Sequence, residues 1–166
     1  MNYSKECFII DDNQKLFYNP LDKKYDMGVE FRNILVPYDD SPNSKRALKK
    51  AFTLAELSNG TITLVHVISY HKAVAKIIEP YKESMIGHVK KFFNKIGHDA
   101  SKRDINLKTQ ILYGSPSDEI LGFMKNKKFD VVIMGRRGVT KITGPSLGSV
   151  SNALVQNSKT PILIVM

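Results

Sequence analysis

From Asn33 onward the chain alternates two patterns: a short run that is apolar on both faces, then a longer segment with apolar residues every three or four positions. The runs are Ile34-Leu35-Val36-Pro37, the β-branched stretch Thr61–Ser69, and residues 105–113, 129–134 and 161–166. A strand that is apolar on both faces must be covered on both, and the intervening helices supply the cover. The alternation predicts a doubly wound α/β domain with five parallel strands, and the expected strand order 3-2-1-4-5 would set the ends of strands one and four side by side. The helical segments carry their own punctuation. Ser41-Pro42 reads as an N-cap with proline at the first helical position, and Ala47, Leu48, Ala51, Phe52, Leu54 and Ala55 form the buried stripe. Asn59-Gly60 ends that helix. Residues 71–103 read as helical with an interruption at Pro80, and Ile86, Val89, Phe93 and Ile96 share one face. Gly114-Ser115-Pro116 opens a further helix with Ile120, Leu121 and Met124 inward, and Ser149–Asn157 is the last.

A chain of 166 residues suits one domain with a substantial core. Residues 1–31 stand outside the alternation and read as an N-terminal extension to a domain spanning 32–166. Within it, Phe8-Ile9-Ile10 and Leu16-Phe17-Tyr18 could pair as a hairpin, and Met27 stands where translation could begin. No apolar run approaches the roughly 20 residues that span a bilayer, and Cys7–Ile10 is too short for a secretory core. A cytoplasmic protein without membrane attachment is expected. The single cysteine has no CxxC partner, which argues against a thiolate metal site. The formal charge is +9, and it resides in the domain: residues 33–166 hold 20 Lys and Arg against 10 Asp and Glu, whereas residues 1–32 hold 5 against 6. A basic domain favours anionic ligands without choosing among them.

One segment carries most of the chemistry. Met134-Gly135-Arg136-Arg137-Gly138 follows the fourth apolar run, and Gly148-Ser149-Val150-Ser151 opens the last helix. Strand, glycine-bearing loop and helix N-terminus in that order can gather backbone N–H groups and a helix dipole around phosphate oxygens. Arg136, Arg137 and Lys141 add positive charge to the loop. Taken alone, Asp39 reads as a turn or capping residue before Ser41, and each glycine as a turn glycine. No GxxxxGK[ST], no GxGxxG after the first strand and no HExxH or GxSxG occurs.

Gly135-x-x-Gly138, nine residues and then Gly148-Ser149 resemble the pattern of the ATP-binding branch of the universal stress protein family. Asn33-Ile34-Leu35-Val36-Pro37-Tyr38-Asp39-x-Ser41 resembles that family's opening strand, and Val65-His66-Val67 its second-strand ending. Ser149-Val150-Ser151 with Lys159-Thr160-Pro161-Ile162-Leu163-Ile164-Val165 resembles its closing helix and strand. The resemblance covers roughly residues 32–166 and implies a fold like that of the adenine-nucleotide alpha hydrolases. It also implies a site. Asp39 would hold the adenine or ribose edge, with Pro37 shaping the strand end and Val67 meeting the adenine through its backbone. Met134 and Gly135 would line base and sugar, with Arg136 beside them. Gly138 would let the loop approach the phosphates, and Gly148, Ser149 and Val150 would bind them. Two departures stand out: Tyr38 is bulky and could narrow the pocket or stack near the base, and Thr143-Gly144-Pro145 replaces a more regular approach to the helix.

The function implied is an ATP-binding, stress-related regulatory protein, with Mg²⁺ on the phosphates, acting as a homodimeric switch on an unidentified protein partner. The last strand, residues 161–166, is apolar and would leave an open sheet edge unless paired, so a dimer through it is expected. Two alternatives remain: a slow ATP hydrolase of the same fold, for which no general base stands out, and a nucleotide-free dimerising module. Nucleic acid is disfavoured, since the basic residues are scattered and no recognition motif is present. No protein metal ligands are expected.

Overall fold

The computed structural model describes residues 7–10, 31–70, 77, 79–139 and 146–166, the first of these as strand backbone only. A six-stranded, wholly parallel sheet runs through the centre. Its strands are β1 (Cys7–Ile10), β2 (Asn33–Pro37), β3 (Thr61–Ser69), β4 (Asn106–Gly114), β5 (Val131–Gly135) and β6 (Ile162–Val165), in the order β1-β6-β5-β2-β3-β4. β2 to β6 are the five expected strands in the expected order. The helices are α1 (Pro42–Ser58), α2 (Lys82–Ser101), α3 (Pro116–Lys125) and α4 (Ser149–Asn157).

Strand alternation divides the core into two layers. Ile34 and Val36 of β2, Ile62 and Leu64 of β3 and Ile133 of β5 pack with Ala47, Ala51 and Phe52 of α1 and Val89, Phe93 and Ile96 of α2. Leu35, Val65, Val132, Met134, Ile162 and Ile164 pack on the other face with Ile120 of α3 and Leu154 of α4. Both faces are covered, as the two-sided apolar runs require.

The helix signals act as read. Ser41 Oγ accepts from the Ser44 N–H at 3.1 Å, Pro42 takes the first helical position, and Asn59 closes α1 in the left-handed conformation (φ 50°). Pro80 lies in a short 3-10 turn, Glu79–Tyr81, which leads into α2. The missing proline N–H costs nothing at such an entry.

The extension departs from expectation. Cys7–Ile10 is a strand, but its partner is β6, in parallel register from Cys7 opposite Ile162 to Ile10 opposite Val165. The edge that the apolar pattern leaves open on the last strand is therefore filled from the same chain. The second arm of the expected hairpin (16–18), Met27, the start of the helical region at 71–76, Lys141 and residues 143–145 lie outside the described residues. Among the described residues, no helix is long and apolar enough to cross a membrane.

Candidate functional site

The chain leaves β2 toward β3 on one side and leaves β5 toward β6 on the other, so the strand order reverses between β2 and β5. The crevice beyond the carboxyl ends of such strands is where open α/β sheets take ligands. Parity decides what faces it. Leu35 belongs to the layer under α3 and α4, so Pro37, two residues on, lies on that face too. Val67 and Met134 pack in the same layer, Val67 half-buried and Met134 buried. Asp39 follows just past the strand, with Oδ1 accepting from the Ser41 N–H at 3.1 Å. Its Oδ2 lies only 2.5 Å from where a side chain on Gly138 would begin. The first strand end and the glycine loop therefore meet, and Gly138 is what lets them do so.

The loop is pinned at its feet. The Arg136 N–H donates to Val165 O at 2.9 Å, and Arg136 O accepts from the Gly148 N–H at 3.0 Å. Ser151 Oγ lies 2.7 Å from Arg136 O and 3.0 Å from Gly148 O, buried under the turn. The Arg137 guanidinium closes the far side through Nε to Ser146 O (2.8 Å) and Nη2 to Ser146 Oγ (3.2 Å). Gly148 is the N-cap of α4 and supplies no side-chain cap. The amide groups at the start of α4, with exposed Ser149 and half-buried Val150, thus stand at the positive end of the helix dipole without an internal acceptor from the cap.

One expectation needs correction, and one glycine of the loop also carries a packing constraint. A side chain at Gly135 would point to the opposite layer and meet Asn43 of α1 at 2.6 Å from its Cβ and 2.7 Å from its carbonyl carbon. This glycine is required by helix packing, because even-numbered Met134 and odd-numbered Gly135 face opposite ways. Tyr38 also lies on the α1 and α2 side. It is buried against Phe92 (ring centroids 5.4 Å apart), and its hydroxyl donates to Asp40 Oδ1 at 3.0 Å. It neither narrows the crevice nor stacks there. His66 joins the same group, with Nδ1 2.8 Å from Tyr38 O and its ring edge-on to Phe92. A separate hollow of about 700 Å³ on that side is lined by Tyr38, Lys45, Lys49, Phe92, Lys95 and Lys102.

Asp40 sits at φ 62°, a conformation that aspartate tolerates better than most residues. Burial alone would raise its carboxyl pKa, but Lys45 at 3.0 Å, the Tyr38 hydroxyl and nearby Lys95 outweigh that and hold it below the usual carboxylate range. Burial first, then the bond to Asp40, pushes the Tyr38 phenol well above its ordinary value near 10. In the unfolded chain that phenol ionises near pH 10 while in the folded chain it stays neutral, so stability is lost as pH rises above about 10. Thermal melts at pH 9 and pH 11 should show a larger fall for the parent than for Tyr38→Phe. Equal falls would mean that this phenol titrates normally.

Sequence reasoning missed two residues that shape the site. Ser151 lies one turn before Leu154 on the buried face of α4, and a serine on an apolar stripe signals an internal acceptor. Asn43 carried no signal, since its role depends on β5 lying beside α1.

The model of the universal stress protein family matches residues 30–166. The chain belongs to the universal stress protein family. Among its relatives, universal stress protein YxiE of Bacillus subtilis is 30% identical over 146 residues, covering 81% of this chain and 99% of that one. The solved structure of MJ0577, a universal stress protein of Methanocaldococcus jannaschii, superposes with a TM-score of 0.75 at 28% identity, covering 82% and 96% of the two chains. A universal stress protein family member from Arabidopsis thaliana, solved with AMP bound, shares the fold at a TM-score of 0.60 and 16% identity, covering 81% and 90%. These universal stress proteins have the doubly wound sheet in common with the present chain.

Proposed function

We propose that this universal stress protein binds an adenine nucleotide, ATP with Mg²⁺ on its phosphates, and acts in the cytoplasm as a regulatory protein whose occupancy is read through a homodimer by a protein partner. The observation that supports the nucleotide most directly is the meeting of Asp39 with Gly138 at one end of a crevice whose other end is the uncapped start of α4. A carboxylate suits ribose hydroxyls or the adenine edge, and a helix N-terminus suits phosphates. In this reading Val67 and Met134 flank the base, Pro37 shapes the wall, Gly148, Ser149 and Val150 donate to phosphate oxygens, and Arg136 adds charge nearby. Residues 32–166 form the functional unit. The AMP bound to the Arabidopsis relative agrees with an adenine ligand.

Freshly purified protein, denatured and chromatographed, should release ATP or ADP in near-stoichiometric amount, or the emptied protein should bind added Mg-ATP by calorimetry. Neither released nucleotide nor calorimetric binding would leave the loop as a purely structural turn and overturn the proposal.

A further inference from the structure

The positive charge of the domain is unevenly divided between its two helical layers. α1 and α2, which cover one face of the sheet, carry eight Lys and Arg against three Asp and Glu. α3 and α4, on the other face, carry one against two. The hollow of about 700 Å³ lies in the basic layer, lined by both of its helices. We propose that this hollow is a docking groove for an acidic segment of a partner protein, one in which carboxylates alternate with apolar side chains. Such a segment would be the contact of the protein partner in the reading above. Only the existence of a partner rests on that reading; the groove is independent of the nucleotide.

Helical spacing builds the groove. Lys45, Leu48, Lys49 and Phe52 step by three, one and three, so they share one face of α1 and run along it for about 10 Å. Phe92, Lys95, Ile96 and Asp99 repeat that spacing on α2. Leu48, Phe52 and Ile96 are buried and form an apolar floor, while Lys45, Lys49, Lys95 and Lys102 are exposed and form the rim. Asp40, 3.0 Å from Lys45 near the start of α1, marks one end. Arg103 marks the other: its guanidinium lies 5.5 Å from the centroid of the Phe52 ring and bonds to Glu56 Oε1 at 3.0 Å.

The rim carries more positive charge than the chain neutralises. Lys45 is paired with Asp40 and Arg103 with Glu56, but among the described residues no ion pair holds Lys49, Lys95 or Lys102. Lys45 and Lys49, Arg46 and Lys50, and Lys91 and Lys95 each stand four residues apart on their helix, where like charges repel. Repulsion of this kind gains the fold nothing, and an external anion relieves it. Floor and rim together select the occupant. Carboxylates spaced along a peptide can meet Lys49 on one wall and Lys95 and Lys102 on the other, while its apolar side chains settle on the floor between them. A nucleic acid suits the groove less. Asp40 and Asp99 line it, and a continuous phosphate chain would be repelled by both. Phe92 already has the rings of Tyr38, His66 and Phe93 around it, with centroids 5.1 to 5.4 Å away, so it is badly placed to stack a base.

The test uses the full chain and a defined probe, a fluorescein-labelled peptide of repeating Glu-Glu-Leu-Phe. Fluorescence anisotropy is read at about 150 mM salt, where long-range attraction between charges is screened. The parent should bind the peptide, and the double variant Lys49→Glu, Lys95→Glu should weaken binding by about tenfold or more. The double variant Lys125→Glu, Lys128→Glu makes the same change of charge on exposed residues at and beyond the end of α3 and should leave the affinity within about twofold of the parent. A peptide of repeating Glu-Glu-Ser-Ser should bind more weakly than the first, because it brings no apolar side chains to the floor. No binding by the parent, equal losses in the two double variants, or equal affinity for the two peptides would each overturn the groove. Displacement of the peptide by oligodeoxythymidine, itself bound with the same dependence on Lys49 and Lys95, would assign the groove to nucleic acid instead. Calorimetric Mg-ATP binding is measured on the same samples and should survive in both double variants. Protein that binds Mg-ATP but not the peptide rejects the groove alone; protein that binds the peptide but not Mg-ATP rejects the nucleotide alone.

Discussion

Gly135→Ala is expected to cost about 2–3 kcal/mol of stability, a large effect for the addition of one methyl group. Exchanging glycine for alanine ordinarily stabilises by roughly 0.4–1 kcal/mol, because the unfolded chain loses freedom. Here the added carbon would sit 2.6 Å from Asn43 Cβ, 2.7 Å from its carbonyl carbon and 2.9 Å from its oxygen. Backbone atoms in the first turn of α1 cannot rotate aside as a side-chain tip can. Either α1 lifts from β5 or the end of β5 bends, and both disturb the buried layer formed by Ala47, Ala51 and Ile133. Urea unfolding of parent and variant measures the difference. A variant within 0.5 kcal/mol of the parent would show that α1 slides on the sheet without penalty.

Gly138→Ala is expected to do the reverse: leave stability almost untouched and weaken nucleotide binding roughly ten- to a hundredfold. Among the described residues, the only atoms within 4 Å of the new carbon are Asp39 Oδ2 at 2.5 Å and Asp39 Cγ at 3.7 Å. A carboxylate can swing away for little, so the fold survives. Asp39 then no longer points where the proposed ribose or adenine contact needs it. A hydrogen bond to a charged group contributes about 1.5–3 kcal/mol, and each 1.4 kcal/mol is tenfold in affinity. Calorimetric titration with Mg-ATP, paired with a thermal melt, reads both quantities. Unchanged affinity would remove Asp39 from the binding site.

These two glycines also mark how far the sequence could be read. Both belong to the Gly135-x-x-Gly138 spacing, and that spacing located the crevice between β2 and β5. It could not say which face each glycine serves, because the answer depends on strand parity counted from a boundary. Once β5 is seen to end at Gly135, Met134 turns to the α3 and α4 layer and Gly135 to α1. Tyr38 escaped for the same reason. As a residue between Pro37 and Asp39 it looked adjacent to the ligand, yet one position along an extended backbone is the other side of the sheet.

The five strands and the helices between them were legible because their signals are local. Two-sided apolar runs, Ser41-Pro42 and Asn59-Gly60 each carry their meaning within a few residues. The pairing of Cys7–Ile10 with β6 carries none locally, since its partner begins 152 residues after its last residue at Ile162. A four-residue apolar run is compatible with several neighbours, and only the assembled sheet selects one. Ser151 falls between these cases: it sits three residues before the apolar Leu154 in the sequence, but nothing local names its acceptor, Arg136 O.

The opposite facing of neighbouring residues at the carboxyl end of β2 has an evolutionary consequence. Tyr38, His66, Phe92 and Asp40 form one chemical neighbourhood, while Pro37, Asp39, Val67 and Gly138 form another, and the sheet stands between them. Point substitutions can therefore diversify one neighbourhood while the other is inherited unchanged. Insertions and deletions cannot: gaining or losing a single residue in β2 would reverse the facing of the residues at its end, burying Asp39 and turning Tyr38 to the other side. Lineages carrying this fold should tolerate drift in side-chain identity at Tyr38 far better than any change in the length of the strand that precedes it.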